Sequence, residues 1–104
     1  MSIIHNATFM IECEREEAFI RWFRTRLPQL GKLTSPRLSA MREAGGIDYT
    51  HAEAQSVAFQ CEFASVEEAM KWRNEIFSEV AADFMSQFSP NAMVFTSIFE
   101  EISL

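Results

Sequence analysis

The alternation of apolar and polar residues predicts two strands that each have one buried side. Residues 3–13 and residues 55–63 both alternate at every second position. This period of two is typical of a strand that packs one face against a core. The sets that we predict to be buried are Ala7, Phe9, Ile11 and Cys13 in the first strand, and Val57, Phe59, Cys61 and Phe63 in the other.

Two segments instead show the three- and four-residue spacing of amphipathic helices. The first begins near Arg15 and is predicted to end at Pro28 and Gly31, because proline cannot continue the hydrogen-bond ladder and glycine suits the left-handed cap. The second begins after Ser65, which forms a capping-box pattern with Glu68. The predicted apolar stripes are Phe19, Trp22, Phe23, Leu27 and Leu30 in the first helix, and Val66, Met70, Phe77, Val80, Phe84 and Phe88 in the second.

The other two predicted strands are less regular. The strand at about 34–43 alternates weakly, and Pro36 near its start indicates an edge strand. The loop 43–54 contains a Gly-Gly pair and charges, so we expect it to be exposed and mobile. The last strand, 92–102, follows the turn at 89–91 and is apolar on both faces, which requires a cover on each side.

Two segments of the chain have similar sequences. They read IECEREEAFIRW at residues 11–22 and FQCEFASVEEAMKW at residues 59–72. Each runs from a strand end into a helix start, as the two halves of a ferredoxin-like split βαβ fold would. We therefore predict one α+β domain over residues 1–104, with the ferredoxin-like order βαββαβ and a four-stranded antiparallel sheet that carries two helices on one face.

The second face of that sheet is predicted to be semi-polar. It is too polar for a core and too weakly charged for open water, so we predict that it packs against a second copy. Twofold pairing is the commonest symmetry of oligomers, and it would give a homodimeric α/β barrel. A monomer with a solvated sheet is the alternative. The predicted residues of this face, besides one side of the last strand, are Thr8, Met10, Ser56, Ala58 and Gln60.

Length and charge narrow the range of functions. A chain of 104 residues is long enough to bury a core without disulfides or a metal. The formal charge of -6 argues against binding to nucleic acid or to an anionic membrane. Cys13 and Cys61 lie in apolar strand-like runs, which is typical of buried thiols in a reducing compartment. With no signal-peptide pattern and no apolar stretch near 18 residues, we predict a cytoplasmic protein.

Candidate chemistry is sparse. The two distant thiols, His5 and His51 do not have the spacing of a metal site, and we expect no metal, no cofactor and no catalytic constellation. The predicted ligand-binding residues are Asn6, Trp22 and Arg37, rimming a gap between helices and sheet that would hold a small anionic or aromatic molecule. The competing interpretation is structural: Trp22 packs, Arg37 is a solvated edge charge and Asn6 satisfies local backbone.

Five motifs together resemble a small bacterial family that is catalogued only as a domain of unknown function, family 4286. They are HNATF (5–9), WFRTRLP (22–28), SPRL (35–38), VAFQCEF (57–63) and VFTSIFEEI (94–102). The resemblance covers nearly the whole chain in the same order. It implies a ferredoxin-like, dimeric-barrel-type fold and no assigned activity. It also implies a histidine two residues before the helix-ending proline, where this chain has Arg26.

The function predicted from these observations is a non-catalytic ligand-binding or protein-interaction module. One alternative is a dimeric-barrel enzyme, such as a cofactor-independent oxygenase, an isomerase or a haem degrader. Residues 65–88 contain no histidine for a haem, whereas His51 beside Asp48 and Tyr49 would act as an acid-base group if its loop covers a pocket. RNA binding is disfavoured, because the first strand offers no exposed aromatic side chain.

Overall fold

The computed structural model describes residues 2–50 and 53–104 of the chain. In chain order the strands are β1 (Ile3–Glu12), β2 (Thr34–Ala40), β3 (Glu43–Ala44), β4 (Ile47–Asp48), β5 (Ala54–Phe63) and β6 (Met93–Glu100). The four long strands form one antiparallel sheet in the spatial order β2-β5-β1-β6. The predicted α+β class and four-stranded antiparallel sheet are confirmed. Within the described residues the sheet is open at β2 and β6, so one chain does not close a barrel.

Two helices pack on one face of this sheet. The first is α1 (Glu16–Arg26), and the second consists of α2 (Val66–Trp72), a π-helical turn (Arg73–Phe77) and α3 (Ser78–Gln87). A 3-10 turn follows α1 and stops at Gly31, whose φ of +80° is the left-handed conformation that favours glycine. At the start of α2 the Ser65 hydroxyl accepts a hydrogen bond from the Glu68 backbone N–H at 3.1 Å. The predicted end of the first helical segment at Gly31 and the predicted start of the second helix after Ser65 are therefore confirmed.

The predicted apolar stripe of the second helix is wrong at its first two positions. Val66 and Met70 are 44% and 42% exposed, whereas Ala69 and Trp72 are buried. The π-helical turn at 73–77 explains the shift, since it adds one residue to a helical turn. The buried face before that turn is consequently displaced by one position from the face after it.

The core between sheet and helices is built around Phe9 of β1. Its ring centroid lies 4.9–6.0 Å from those of Phe19, Phe23, Phe77 and Phe84, which come from both helices. All five side chains are at most 1% exposed. Each aromatic pair adds about 0.5–1.5 kcal/mol beyond the burial of its apolar surface. This cluster therefore fixes both helices to the same face of the sheet.

The segment predicted as a mobile loop contains a short hairpin. β3 pairs with β4, and the turn between them consists of Gly45 and Gly46, with φ of +57° and +85°. Positive φ at both central residues is what a tight two-residue hairpin requires. Residues 51–52 lie outside the described residues. Of the helices in the described ranges, none combines the length and apolarity needed to cross a membrane.

Candidate functional site

The three predicted ligand-binding residues do not rim a common gap. Asn6 pairs with Gln60 and Ser97, and Arg37 pairs with Gln60, so both lie on the sheet face that the helices leave uncovered. Trp22 lies on α1, on the opposite side of the sheet. The prediction of one shared site is wrong in geometry because strand alternation turns Asn6 away from the helices. A ligand-binding role for each residue alone stays a prediction.

We call the uncovered side of the sheet the open face. A polar row crosses its middle, formed by Arg37, Gln60, Asn6 and Ser97 from the four neighbouring strands. The Gln60 amide donates to Asn6 Oδ1 at 3.1 Å, and the Asn6 amide donates to Thr8 Oγ1 at 3.1 Å. The other residues of the open face are Ile4, Met10, Thr34, Ser39, Ala54, Ser56, Ala58, Glu62, Met93, Phe95 and Phe99, with Glu12 at its end.

Large apolar side chains lie exposed on the open face along β6. Met93, Phe95 and Phe99 are 50%, 49% and 54% exposed. Val94 and Ile98 of the same strand point the other way and are half-buried. The prediction that this strand is apolar on both faces is therefore confirmed. Clustered exposed apolar groups of this kind mark interaction surfaces more often than scattered ones.

The open face carries little of the chain's net charge. Its central charges are Arg37 and Glu62, of opposite sign. Hydrogen bonds from Ser2 and Ser35 and the nearby Arg37 guanidinium hold the pKa of the Glu62 carboxyl below its usual value. With Glu12 at one end, this face is close to neutral although the chain has a formal charge of -6.

On the helical side, Trp22 belongs to a polar cluster that joins the two helices. Its indole Nε1 donates to Asp83 Oδ2 at 3.2 Å, and the Arg26 Nε donates to the same oxygen at 2.8 Å. The Arg26 guanidinium also lies 5.6 Å from the Trp22 ring centroid. Arg26, which occupies the position of the expected family histidine, is thus an ion-pair partner. Sequence reasoning missed Asp83, since one acid on a helix gives no sign of its partner.

His5 is buried among aromatic rings on the helix-covered face of β1. Its ring centroid lies 5.0 Å from that of Trp72 and 5.6 Å from that of Phe77, and the side chain is 0% exposed. Neither ring nitrogen has a hydrogen-bond partner within the described residues. Burial, reinforced by Arg73, lowers the pKa of His5 to about 4. This histidine is therefore neutral at pH 7, whereas the predicted acid-base residue His51 lies outside the described residues.

The two thiols are unpaired. Cys61 is buried, and burial raises the pKa of its thiol to about 11. Cys13 lies in the turn after β1 and donates to the Thr50 carbonyl, with sulfur and oxygen 3.6 Å apart. In residues 2–50 and 53–104, no three His, Cys, Asp or Glu side chains are grouped so as to hold a metal ion.

Comparisons with known proteins identify a family and a fold. A family model described as "Domain of unknown function (DUF4286)" matches residues 2–102. No curated protein matches the chain. Among solved structures, the de novo designed protein Foldit4 aligns with a TM-score of 0.60 and 8% identity, over 98% of this chain and 100% of that one. At this identity the likeness concerns the fold alone.

Proposed function

The chain belongs to the DUF4286 family, and from this premise we propose that it is a single ferredoxin-like domain that works as a homodimeric interaction module. The strand order β2-β5-β1-β6, with both helices on one side, supports the ferredoxin-like assignment. The observation that carries the proposed function is the open face, which combines a polar row with exposed aromatic side chains.

The apolar part of the open face favours burial by a partner. Phe95 and Phe99 stand on one side of β6 with about half of each side chain in solvent. Removing apolar surface from water contributes about 25 cal/mol per Å². The described residues form two layers only, with a smallest extent of 18 Å, and none of them covers this side of the sheet.

A second copy of the chain fits the open face in charge and in size. Two molecules with a formal charge of -6 repel each other, and association is least costly through a nearly neutral surface. A twofold axis that passes near Arg37 and Glu62 would bring this pair of one copy towards the same pair of the other. Side-chain amides are self-complementary, since each both donates and accepts. The broad extents of 37 × 34 Å allow the roughly 800 Å² per partner of a stable interface.

Two such sheets facing each other would form the dimeric α/β barrel. We also place the dimer in the cytoplasm, a proposal supported by the two unpaired thiols. The proposal assigns no catalytic step to the chain. A dimeric-barrel enzyme remains the alternative, and it depends on His51.

Sedimentation velocity between roughly 1 and 100 µM tests the proposal. We expect the wild type to sediment as a dimer, and Phe95→Glu to sediment as a monomer because the substitution buries two like charges. Met85→Glu is the matched control, since Met85 is 42% exposed on α3, away from the open face. Its dimer should persist.

Circular dichroism of each variant verifies that the fold is retained. A wild type that is monomeric at every concentration contradicts the proposal. A dimer that survives Phe95→Glu and is lost with Met85→Glu also contradicts it, because the interface would then lie on the helices.

A further inference from the structure

A groove between α1 and the edge strand β2 has the character of a ligand site, and we propose that it binds a small amphipathic carboxylate. Its volume is about 350 Å³, within the range of roughly 300–1,000 Å³ of small-molecule sites. Arg24 and Arg37, both exposed, contribute the charged part of the lining. The apolar part consists of Ile20, Phe23, Leu27, Pro36, Leu38 and Phe59.

A β-bulge in β2 creates one wall of this groove. Thr34 pairs with Glu62 and Arg37 pairs with Gln60, so β2 contains one residue more than β5 between these pairs. In a regular strand, Leu38 would share the open face with Thr34. The extra residue reverses the alternation and turns Leu38 onto the helix-covered side. An apolar side chain thereby lines the groove at the edge of the sheet.

The floor of the groove is part of the rigid core. The rings of Phe23 and Phe59 lie with centroids 4.9 Å apart at an angle of 59°. Both side chains are at most 2% exposed, and Leu38 pairs with Phe59 across the sheet. These two rings support the more accessible aliphatic lining, so an apolar ligand tail would contact the preformed surface of Ile20, Leu27, Pro36 and Leu38, with little loss of conformational entropy in the protein.

Arg24 supplies positive charge that the described residues do not neutralise by ion pairing, whereas Arg37 lines the rim of the groove and its strand register directs its side chain to the open face. Arg26 and Arg42 form ion pairs of 2.8 Å and 2.7 Å, whereas neither Arg24 nor Arg37 forms one within the described ranges. Arg37 is close enough to Glu62 to affect its pKa, so Arg24 should contribute more to binding. A guanidinium fork matches the two oxygens of a carboxylate. Apolar lining with the adjacent Arg24 guanidinium thus fits an anion that has an apolar body.

An NMR titration of the wild-type chain with decanoate tests the inference, with decanol as the uncharged probe of the same chain length. We expect amide shifts in α1 and β2 at decanoate concentrations below about 1 mM. Arg24→Gln should weaken decanoate binding about fivefold and leave decanol binding unchanged, because it removes one exposed charged contact. Arg21→Gln is the matched control, since Arg21 is exposed on the same helix but does not line the groove.

Equal effects of Arg21→Gln and Arg24→Gln would overturn the inference, because they would indicate general charge attraction. Shifts confined to the open face, or no shifts at about 1 mM decanoate, would overturn it as well. Arg37 belongs to both proposed surfaces, whereas Arg24 lines only the groove and Phe95 lies only on the open face, so Arg24→Gln and Phe95→Glu test the two proposals separately. Decanoate should also bind the Phe95→Glu variant.

Discussion

The two faces of the sheet are formed by the same strands, but β1 and β6 place their large aromatic side chains on opposite faces. On β1 the large aromatic residue, Phe9, points into the helix-covered core, and its neighbour Thr8 points to the open face. On β6 the arrangement is reversed. Phe95 points to the open face, whereas Val94, half-buried, points to the core. The core is thus completed by a β-branched residue at this edge.

This reversal distinguishes aromatic residues that stabilise the fold from aromatic residues that we propose to act in dimer formation. The aromatic cluster around Phe9 is buried without any partner molecule. Phe95 and Phe99 add little to a single chain, because about half of each side chain remains in water. The proposed dimer would account for their presence on the open face. We therefore expect core substitutions to change folding and open-face substitutions to change assembly.

The largest difference between the faces is expected for removing one phenyl ring from each. Phe9→Ala should lower the free energy of unfolding by about 3–5 kcal/mol, because it leaves a cavity among four aromatic rings. Phe95→Ala should lower the free energy of unfolding by less than about 1 kcal/mol when it is measured at a protein concentration low enough for the chain to be monomeric. Urea unfolding of both variants measures the contrast. Similar losses for the two would remove the distinction between the faces.

A smaller effect is expected from acid, and it acts on the covered face through His5. Its pKa is 6.5 in the unfolded chain and about 4 in the fold, so below pH 6.5 protons bind the unfolded state preferentially. Stability should therefore fall by about 3 kcal/mol as the pH drops from 6.5 to 4, at 1.36 kcal/mol per pKa unit.

The comparison of wild type with His5→Leu isolates this histidine from carboxyl groups that titrate in the same range. Between pH 7 and pH 4.5, the free energy of unfolding should fall less in the variant than in the wild type. The variant should also be at least as stable at pH 7, because it removes two buried nitrogens that have no partner in the described residues. Equal acid losses in the two proteins would show that His5 is not held neutral by burial.

The smallest effect on stability is expected in the polar row of the open face. Gln60→Leu removes the 3.1 Å hydrogen bond to Asn6 and should change the unfolding free energy of the monomer by no more than about 0.5 kcal/mol. It should raise the dissociation constant of the proposed dimer about fivefold, because the Gln60 amide would form one hydrogen bond across that interface and one such bond contributes about 1 kcal/mol. Sedimentation equilibrium measures this constant. A large loss of monomer stability would show that the row supports the fold itself.

Sequence patterns predicted this fold well where a local rule governs the outcome. Alternation assigned Phe9 and Phe59 to the covered face, and glycine chemistry placed the end of the first helical segment at Gly31. The pattern was misleading at Val66 and Met70, because a π-helical turn depends on packing along the whole second helix. The position of His5 on the covered face follows from the same alternation as Ala7 and Phe9, but its polar side chain gave no sign that it would be buried without a hydrogen-bond partner in the described residues.

The candidate site was harder to predict for a different reason. Alternation had already placed Asn6 opposite the core, so grouping it with Trp22 conflicted with the predicted strand itself. Arg37 does line a groove, but next to Arg24 rather than next to the other two predicted residues. The wall that Leu38 contributes to this groove depends on the bulge in β2, where Ser35 has a φ of +48°. A single non-glycine residue in the left-handed region leaves no clear trace in sequence.

The most direct test of the proposed dimer is an isotope-filtered NOE experiment on a mixture of labelled and unlabelled chains, which detects contacts between molecules only. The account predicts intermolecular contacts at Phe95 and Phe99 on the open face, and none at Met85 on α3. Intermolecular contacts at Met85 without any at Phe95, or no intermolecular contacts at all, would contradict the claim that a second copy covers the open face.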